Sequence, residues 1–588
     1  MAAPAPADLR QGLGFRGWGL RSARNFPQSL SPNPERLLFL AVAATLAWFV
    51  VPPLVVLLFT SFQQTRAGRV VGYSLDNYAQ LASLGETATI VANTFVFGAG
   101  SALLAVALGA ALAWLVERTN TPFKSAVYVA AFVSFATPGV VKVVGWILLL
   151  GPEQGLLNVG LRRLGLAGFN LFSMGGMILV EGLLWTPVVF LLLATTFRAM
   201  DPGLEEAASM SGAGLGQTIR RVTLRLALPT LLSVLLLTVV RAFEAFEIPA
   251  LVGIPARVEV LTTLVYQRVR SGFVPQYGEA SAYAVLLTLV VIALLIPYAR
   301  LTGHANRFAT VTGKGYRPRL LDVGAWRWPA GLLVLSLPTL VLLPLVVLMW
   351  ASVLPFYQAP SGSALASLTP GNYRTALADA NLVNALLNTV IVGLVSASIV
   401  TVLALLVAWL VFRTRFRARW LLEHLGALPL VLPGIVLGIA VLRTYLTLPI
   451  PIYGTVWIIV VAYVARYTPF GIRFGEAGLL QIHHELEESA RVSGASLAAI
   501  LRRIVVPLMA PALASSWIYV FLLSVKELSV AMLVYGPQSR VVSVTMFELW
   551  GNGQVTELAA FCVAITAVFV AIGLVFYRLS RRYGVQAG

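Results

Sequence analysis

The chain has 588 residues, of which 58% are hydrophobic and only 11% charged, a balance that excludes an ordinary soluble globular protein. Its length suffices for about a dozen apolar spans of ~20 residues. A net charge of +18 would suggest nucleic acid in a soluble chain, but the basic residues gather in loops on one side of the spans, so membrane topology explains them and no nucleic-acid partner is expected.

Residues 1–36 carry Arg10, Arg16, Arg21, Arg24 and Arg36 among Pro, Gly and Ser, and read as a basic cytoplasmic tail. A full-length span follows, so a cleavable signal peptide is not expected. Apolar stretches fall near 37–60, 90–116, 125–150, 174–197, 227–250 and 279–299. Six more fall near 329–353, 384–412, 420–446, 454–480, 508–534 and 556–577. They predict an all-α polytopic membrane protein of about twelve transmembrane helices, six in each of two domains, 37–300 and 329–588. Pro138, Pro187, Pro249, Pro433 and Pro469 interrupt these runs, which is tolerated where neighbouring helices take up the freed backbone groups. Segment 301–328, with His304, Arg307, Lys314, Arg317 and Arg319, reads as a cytoplasmic linker.

The halves repeat one another. Asn93-Thr94 matches Asn388-Thr389, Trp114-Leu115-Val116 matches Trp409-Leu410-Val411, and Pro138-Gly139 matches Pro433-Gly434, all at an offset of 295 (93 to 388). Thr186-Pro187 matches Thr468-Pro469 at an offset of 282 (186 to 468), which makes the loop near 151–173 the longer one. Such matching marks an internal duplication.

Two polar loops, 201–229 and 483–511, are the most informative copies. In each, a short acidic helix (204–211 or 486–493) ends at a glycine able to adopt the left-handed conformation that closes a helix. An amphipathic segment with paired arginines follows, Arg220-Arg221 or Arg502-Arg503, before a proline leads into the next span. Two short helices about a tight turn make a rigid knob suited to a partner's groove.

Glu206-Ala207-Ala208, three residues, then Gly212 resembles the cytoplasmic loop of binding-protein-dependent ABC transporter permeases, as does Glu488-Ser489-Ala490 with Gly494. Nine residues further on stand Val222-Thr223-Leu224 and Ile504-Val505-Val506-Pro507. The departures are Arg225 where that family has Pro, and Ser489 for Ala; the Glu–Gly spacing is kept. The stretch Val525-Lys526-Glu527-Leu528-Ser529 with Tyr535-Gly536-Pro537 and Phe547-Glu548-Leu549-Trp550 is similar to the ferric-iron permeases of that family.

The resemblance implies a fused two-domain permease of the bacterial inner membrane. Its partners would be two copies of a cytoplasmic ABC ATPase seated on the two knobs, and an extracytoplasmic solute-binding protein. Ferric iron is the implied solute, with thiamine, phosphonate or polyamine as alternatives that share the layout. Fe(III) favours hard oxygen ligands, and the spans hold few acidic residues, so iron coordination is expected on the binding protein.

With the tail cytoplasmic, the inside regions hold roughly 27 of the 42 Lys and Arg and the outside loops roughly ten, which places both termini and both knobs inside. Six spans per half make a parallel repeat about an axis along the membrane normal, with the pathway between the halves. The outer loops are too short for a ligand-capturing domain.

Catalytic chemistry is absent from the sequence. Residues 212–218 are glycine-rich without a Lys, and Gly313-Lys314-Gly315 lacks the P-loop spacing and its Ser or Thr. The one cysteine, Cys562, lies in an apolar run, and four histidines, including His483 and His484, form no metal pattern. A non-enzyme subunit with no cofactor or metal site is expected. Charges inside apolar runs are Lys142, Glu181, Arg241, Glu244, Glu247, Lys526 and Glu527. Each costs ~2.5–3.5 kcal/mol near the bilayer centre, so they are expected to face the interior. Arg241 and Glu244 share a helix face and can pair. Glu244, Glu247, Lys526 and Glu527 follow the knobs and are candidates to line or gate the pathway, the alternative being ion pairs that lock helix packing. The competing class is a secondary transporter driven by an ion gradient, which gives no reason for two knobs.

Overall fold

The computed structural model describes residues 34–582, apart from 67–68, 84, 306–319 and 415. Residues 1–33 of the expected tail and 306–319, half of the linker, lie outside the described residues, and residues 34–36 of that tail begin the first helix. Backbone groups in lipid must be satisfied within a segment, so the apolar stretches become helices. Among the described residues nine helices are long and apolar enough to cross a membrane, or up to eleven if each of two bent pairs is one span; they include Pro34–Ser61, Gly85–Arg118, Met174–Ala199 and Leu215–Phe243. Val456–Leu479 takes the place of Met174–Ala199 in the second repeat, made less apolar by Arg466, Arg473 and Glu476. An antiparallel strand pair, Gln63–Arg66 with Arg69–Tyr73, interrupts the helical pattern.

Stretches 125–150 and 420–446 are not straight spans. Lys124–Ala136 meets Gly139–Leu150 at 109°, and Arg419–Val431 meets Gly434–Thr447 at 110°. A proline disfavours the helical region for the residue before it, and at these two positions the chain leaves the helix. Thr137 accordingly has ψ 128° before Pro138, and Leu432 has ψ 113° before Pro433. The Pro-Gly match at offset 295 therefore becomes a matched break.

Stretches 227–250 and 508–534 also stop early, at Phe243 and Val525, and continue as the short turns Pro249–Gly253 and Ala531–Val534. Pro229 and Pro511 do not lead into the spans but lie inside helices. The second segment of each knob passes through a π turn, Ile219–Thr223 or Leu501–Val505, and runs on as the span itself. A π turn absorbs an extra residue without ending the helix.

The first helix of each repeat packs on the other repeat. Phe39, Val42, Ala43 and Leu46 are buried with Val407, Leu410, Leu422, Ile472 and Leu479. In return Val334 and Leu337 of Arg327–Ser352 pack with Leu112, Val189, Phe190 and Leu193. Between lipid-embedded helices such association rests on close packing. The Gly85–Arg118 and Met174–Ala199 pair is tight enough that a Cβ at Gly109 would fall 2.6 Å from a Val189 methyl.

Candidate functional site

Each knob opens with an eight-residue helix, Gly203–Met210 or Glu485–Val492. Gly212 and Gly494 then take φ 80° and 82°. The Ala213 N–H donates to the Ala208 carbonyl and the Ala495 N–H to the Ala490 carbonyl, both at 3.0 Å, the bond that closes a helix over a left-handed residue. A Cβ on either glycine would meet nothing within 4 Å, so backbone conformation alone demands glycine there. Glu488, Ala207 and Ser489 are exposed, while Glu206, Ala208 and Ala490 are half-buried. Met210 and Val492, matched at offset 282, are 90% and 91% exposed, and Leu204 and Leu486 are exposed beside them. The two polar loops thus present apolar side chains to solvent at the same place.

Sequence reasoning missed the acids that hold the knobs in place. Glu205, one residue before the motif glutamate, is buried and accepts from Arg118 Nη2 at 2.5 Å and the Thr223 hydroxyl at 2.6 Å. Arg118 also donates to the Met200 carbonyl at 3.2 Å. Glu487 accepts from Arg413 Nε and Trp409 Nε1, each at 2.9 Å. Arg413 further donates to the carbonyls of Leu479 and Ile482. Each knob is thus bolted to the last turn of a long helix, Gly85–Arg118 or Ala380–Arg413. The third partner differs between repeats. Val505 stands where Thr223 would be, and Trp114, the counterpart of Trp409, has a buried indole N–H without a partner. The one usable signal was an Arg at offset 295 together with doubled acids at offset 282.

The knobs also have different outer tethers. At the first, the Leu321 N–H donates to the Arg118 carbonyl at 2.8 Å and the Asn120 amide to Asp322 at 2.6 Å, which brings the end of the linker against the bolt. At the second, Arg491 pairs with Glu35 of the first helix at 3.0 Å.

The buried charges collect at the two breaks. Arg241 and Glu244 pair at 3.0 Å, as their spacing suggested. Glu527 pairs with Arg466 at 3.2 Å and accepts from the Tyr467 hydroxyl at 2.8 Å, and a Cβ on Gly434 at the second break would lie 2.5 Å from Arg466 Nη1. Arg466 was not among the sequence candidates. At the first break, Lys526 donates across the repeats to the Phe135 carbonyl at 2.9 Å, with its ammonium 4.1 Å from the Phe135 ring centre. Lys142 donates to the neighbouring Ser134 carbonyl at 3.2 Å. Glu247 covers Gly139, where a Cβ would fall 1.5 Å from its Oε2. Glu181 accepts from the Trp185 indole at 2.9 Å. The four candidates therefore divide: Glu247 and Lys526 meet at the first break, Glu527 belongs to the second, and Glu244 is held by Arg241. Glu244 and Lys526 occupy one repeat position with opposite charge, so the two breaks are electrically unlike. Among the described residues no three His, Cys, Asp or Glu side chains are placed to hold a metal ion.

Repeated helical halves with matched knobs and a charged seam between them define a polytopic membrane permease. The family of binding-protein-dependent transport system inner membrane components matches residues 105–310 and 400–583, and the chain belongs to that family. It is 25% identical over 549 residues to the ferric transport system permease protein FbpB of Actinobacillus pleuropneumoniae, covering 91% of this chain and 77% of that one. It is 24% identical over 459 residues to the putative ferric transport system permease protein FbpB 1 of Haemophilus influenzae, covering 77% and 71%. A putative 2-aminoethylphosphonate transport system permease protein of Salmonella typhimurium is 27% identical over 157 residues, covering 27% of this chain and 59% of the relative.

Proposed function

We propose that this chain is the translocation subunit of an ATP-driven importer for ferric iron, with both knobs and both termini cytoplasmic. Each knob seats on one of two ATPase subunits, and a solute-binding protein docks on the opposite face. The carrying observation is the duplicated knob, with its left-handed glycine, buried bolt and exposed apolar tip at Met210 or Val492. ATP binding draws the two ATPases together, the bolts pass that motion to the long helices, and the halves rock about the seam. Similarity to two ferric permeases over most of the chain supports iron; the shorter similarity to a phosphonate permease keeps phosphonate as the second reading.

The test is co-purification with an ATPase, followed by uptake of labelled iron into proteoliposomes that also hold the binding protein. Uptake should require ATP and fall at least about tenfold in M210D/V492D, since an aspartate at each tip would be desolvated on docking. Full uptake driven by an ion gradient without any ATPase would overturn the reading.

A further inference from the structure

We propose that the cytoplasmic end of the first repeat holds a site for the headgroup of one anionic phospholipid, a singly charged phosphodiester such as phosphatidylglycerol. The permease reading enters only in naming that end cytoplasmic, and the site stands whichever solute crosses. Lys124–Ala136 begins beside the end of Met174–Ala199, and the Tyr128 and Phe190 rings join the two helices edge to face at 5.2 Å. Between those ends lies a cleft of 380 Å³ lined by Glu117, Arg118, Lys124, Tyr128 and Arg198. That volume falls within the range of about 300–1,000 Å³ usual for small-molecule sites.

The charges in the cleft do not cancel. Arg118 is spent on the buried Glu205, as the bolt of the first knob. Lys124 and Arg198 share Glu117, the one carboxylate among the described residues that acts on either. Asp322, at the end of the linker, is bonded to Asn120 and the Gly324 N–H and faces Arg327 instead. One positive charge remains, which a phosphodiester balances. Donors are left over as well. Arg198 gives Glu117 its Nε at 3.0 Å and Nη2 at 3.1 Å, and Nη2 also donates to the Tyr128 hydroxyl at 2.6 Å. Its Nη1 makes no bond among the described residues. Lys124 donates once, to the Thr119 carbonyl, and an ammonium has three donors. Two N–H groups on each side chain therefore face a ligand, and charge-assisted bonds to phosphate oxygens are strong ones. The Arg198 side chain is 59% exposed, so the way in is open.

The surface next to the cleft favours a lipid over a soluble anion. Lys124, Tyr128 and Phe132 follow one helix face at intervals of four, and Leu191 stands two turns before Arg198. Phe132 and Leu191 are exposed, with Val129 and Leu192 exposed beside them. They lie roughly 10–12 Å further along the spans at 1.5 Å per residue, where acyl chains would run. Phe123 and Trp328, both exposed with ring centres 6.5 Å apart, stand at the same end, as aromatic side chains do at a membrane–water boundary. A basic pocket between spans at the cytoplasmic surface suits an anionic headgroup. The second repeat has Phe412, Arg419, Glu423 and Leu480 where the first has Glu117, Lys124, Tyr128 and Arg198. It offers one cation and one carboxylate there, so one site exists per chain.

The experiment is native mass spectrometry of the full chain released from nanodiscs of equal phosphatidylglycerol and phosphatidylcholine with the same acyl chains. One phosphatidylglycerol should be retained in preference to phosphatidylcholine by at least about fivefold, the step that one net cation at the surface gives. K124Q/R198Q should bring the two lipids to parity and K124R/R198K should keep the preference. R163Q/R374Q, which removes as much charge from the far ends of the helices, should leave it unchanged. In the unsubstituted protein, acylation of Lys124 relative to Lys314 should be slower in phosphatidylglycerol than in phosphatidylcholine nanodiscs, a readout independent of how any variant folds. Parity in the unsubstituted protein, or a preference indifferent to both residues, would overturn the site. So would displacement of the lipid by inorganic phosphate, which would make it a site for a free anion. Protection of Lys124 in phosphatidylcholine by an added ATPase would assign the face to a protein instead. Neither ATP nor solute enters the lipid measurement, so its failure leaves the importer reading untouched.

Discussion

Two adjacent glutamates in an eight-residue helix do opposite jobs. Glu488 meets water, and Glu487 is buried against Arg413 and Trp409. Neutralising a buried ion-pair partner leaves the other charge uncompensated, at about 3–5 kcal/mol. E205Q should therefore lower the thermal unfolding temperature of the purified protein and uncouple ATP hydrolysis from uptake. E487Q should do so less, because Arg413 is 15% exposed against 3% for Arg118 and keeps two carbonyl partners; equal shifts in a thermal melt would contradict this ranking. The Cβ of G494A meets no atom within 4 Å, so the substitution should cost only the left-handed backbone penalty of ~1–2 kcal/mol, leaving insertion intact while reducing uptake. The motif spacing exposed Glu206, Gly212, Glu488 and Gly494. It was blind to Glu205 and Glu487, since two neighbouring acids differ only in the direction they face, and so short a helix has too little periodicity to tell which.

Among the elements, prolines were visible but their consequences were not. Pro187 and Pro469 stay inside helices, whereas Pro138 and Pro433 end one helix and begin another. What distinguishes the latter is the following glycine, over which a charged side chain lies. G139A should displace the carboxylate of Glu247, and G434A the guanidinium of Arg466; each is the tip of a flexible side chain, so the melting temperature should move little while uptake falls. The contact at Gly139 is the shorter, so G139A should show the larger fall in uptake. A stable, fully active G139A would argue that the break is not held by this contact. The ends of the spans after the knobs, Phe243 and Val525, carried a signal that was easily passed over: Glu244 and Lys526 stand next in the chain, but the apolar turns beyond them, 249–253 and 531–534, make each run read as continuous.

For the molecule as a whole, the repeat predicts that residues 206 and 488 lie on one membrane face. In a C562S background, cysteines placed at 206 and 488 should both react with an impermeant thiol reagent only from the cytoplasmic side; labelling from opposite sides would end the importer scheme. The offsets of 295 and 282 made the duplication plain, but the exchange of first helices was hidden, because lipid and a partner helix ask for the same apolar surface. Polypeptides 1–310 and 311–588 made in one cell should co-purify as a complex, and neither should be stable alone, since Phe39, Leu46, Val334 and Leu337 each pack across the divide.

That exchange also has a consequence for biosynthesis. Ser61 leaves the ribosome long before Val407, the start of the surface that the first helix covers, has been made. At roughly 5–20 residues per second the wait lasts on the order of tens of seconds. For most of it the helix stands in lipid without its partners from the second repeat, with helix Tyr277–Ala305 of its own half arriving first, which its uncharged length from Leu37 to Ser61 permits. Translating both repeats as one message guarantees that the helix it finally embraces comes from the same nascent chain, with no search through the bilayer for a separately made mate.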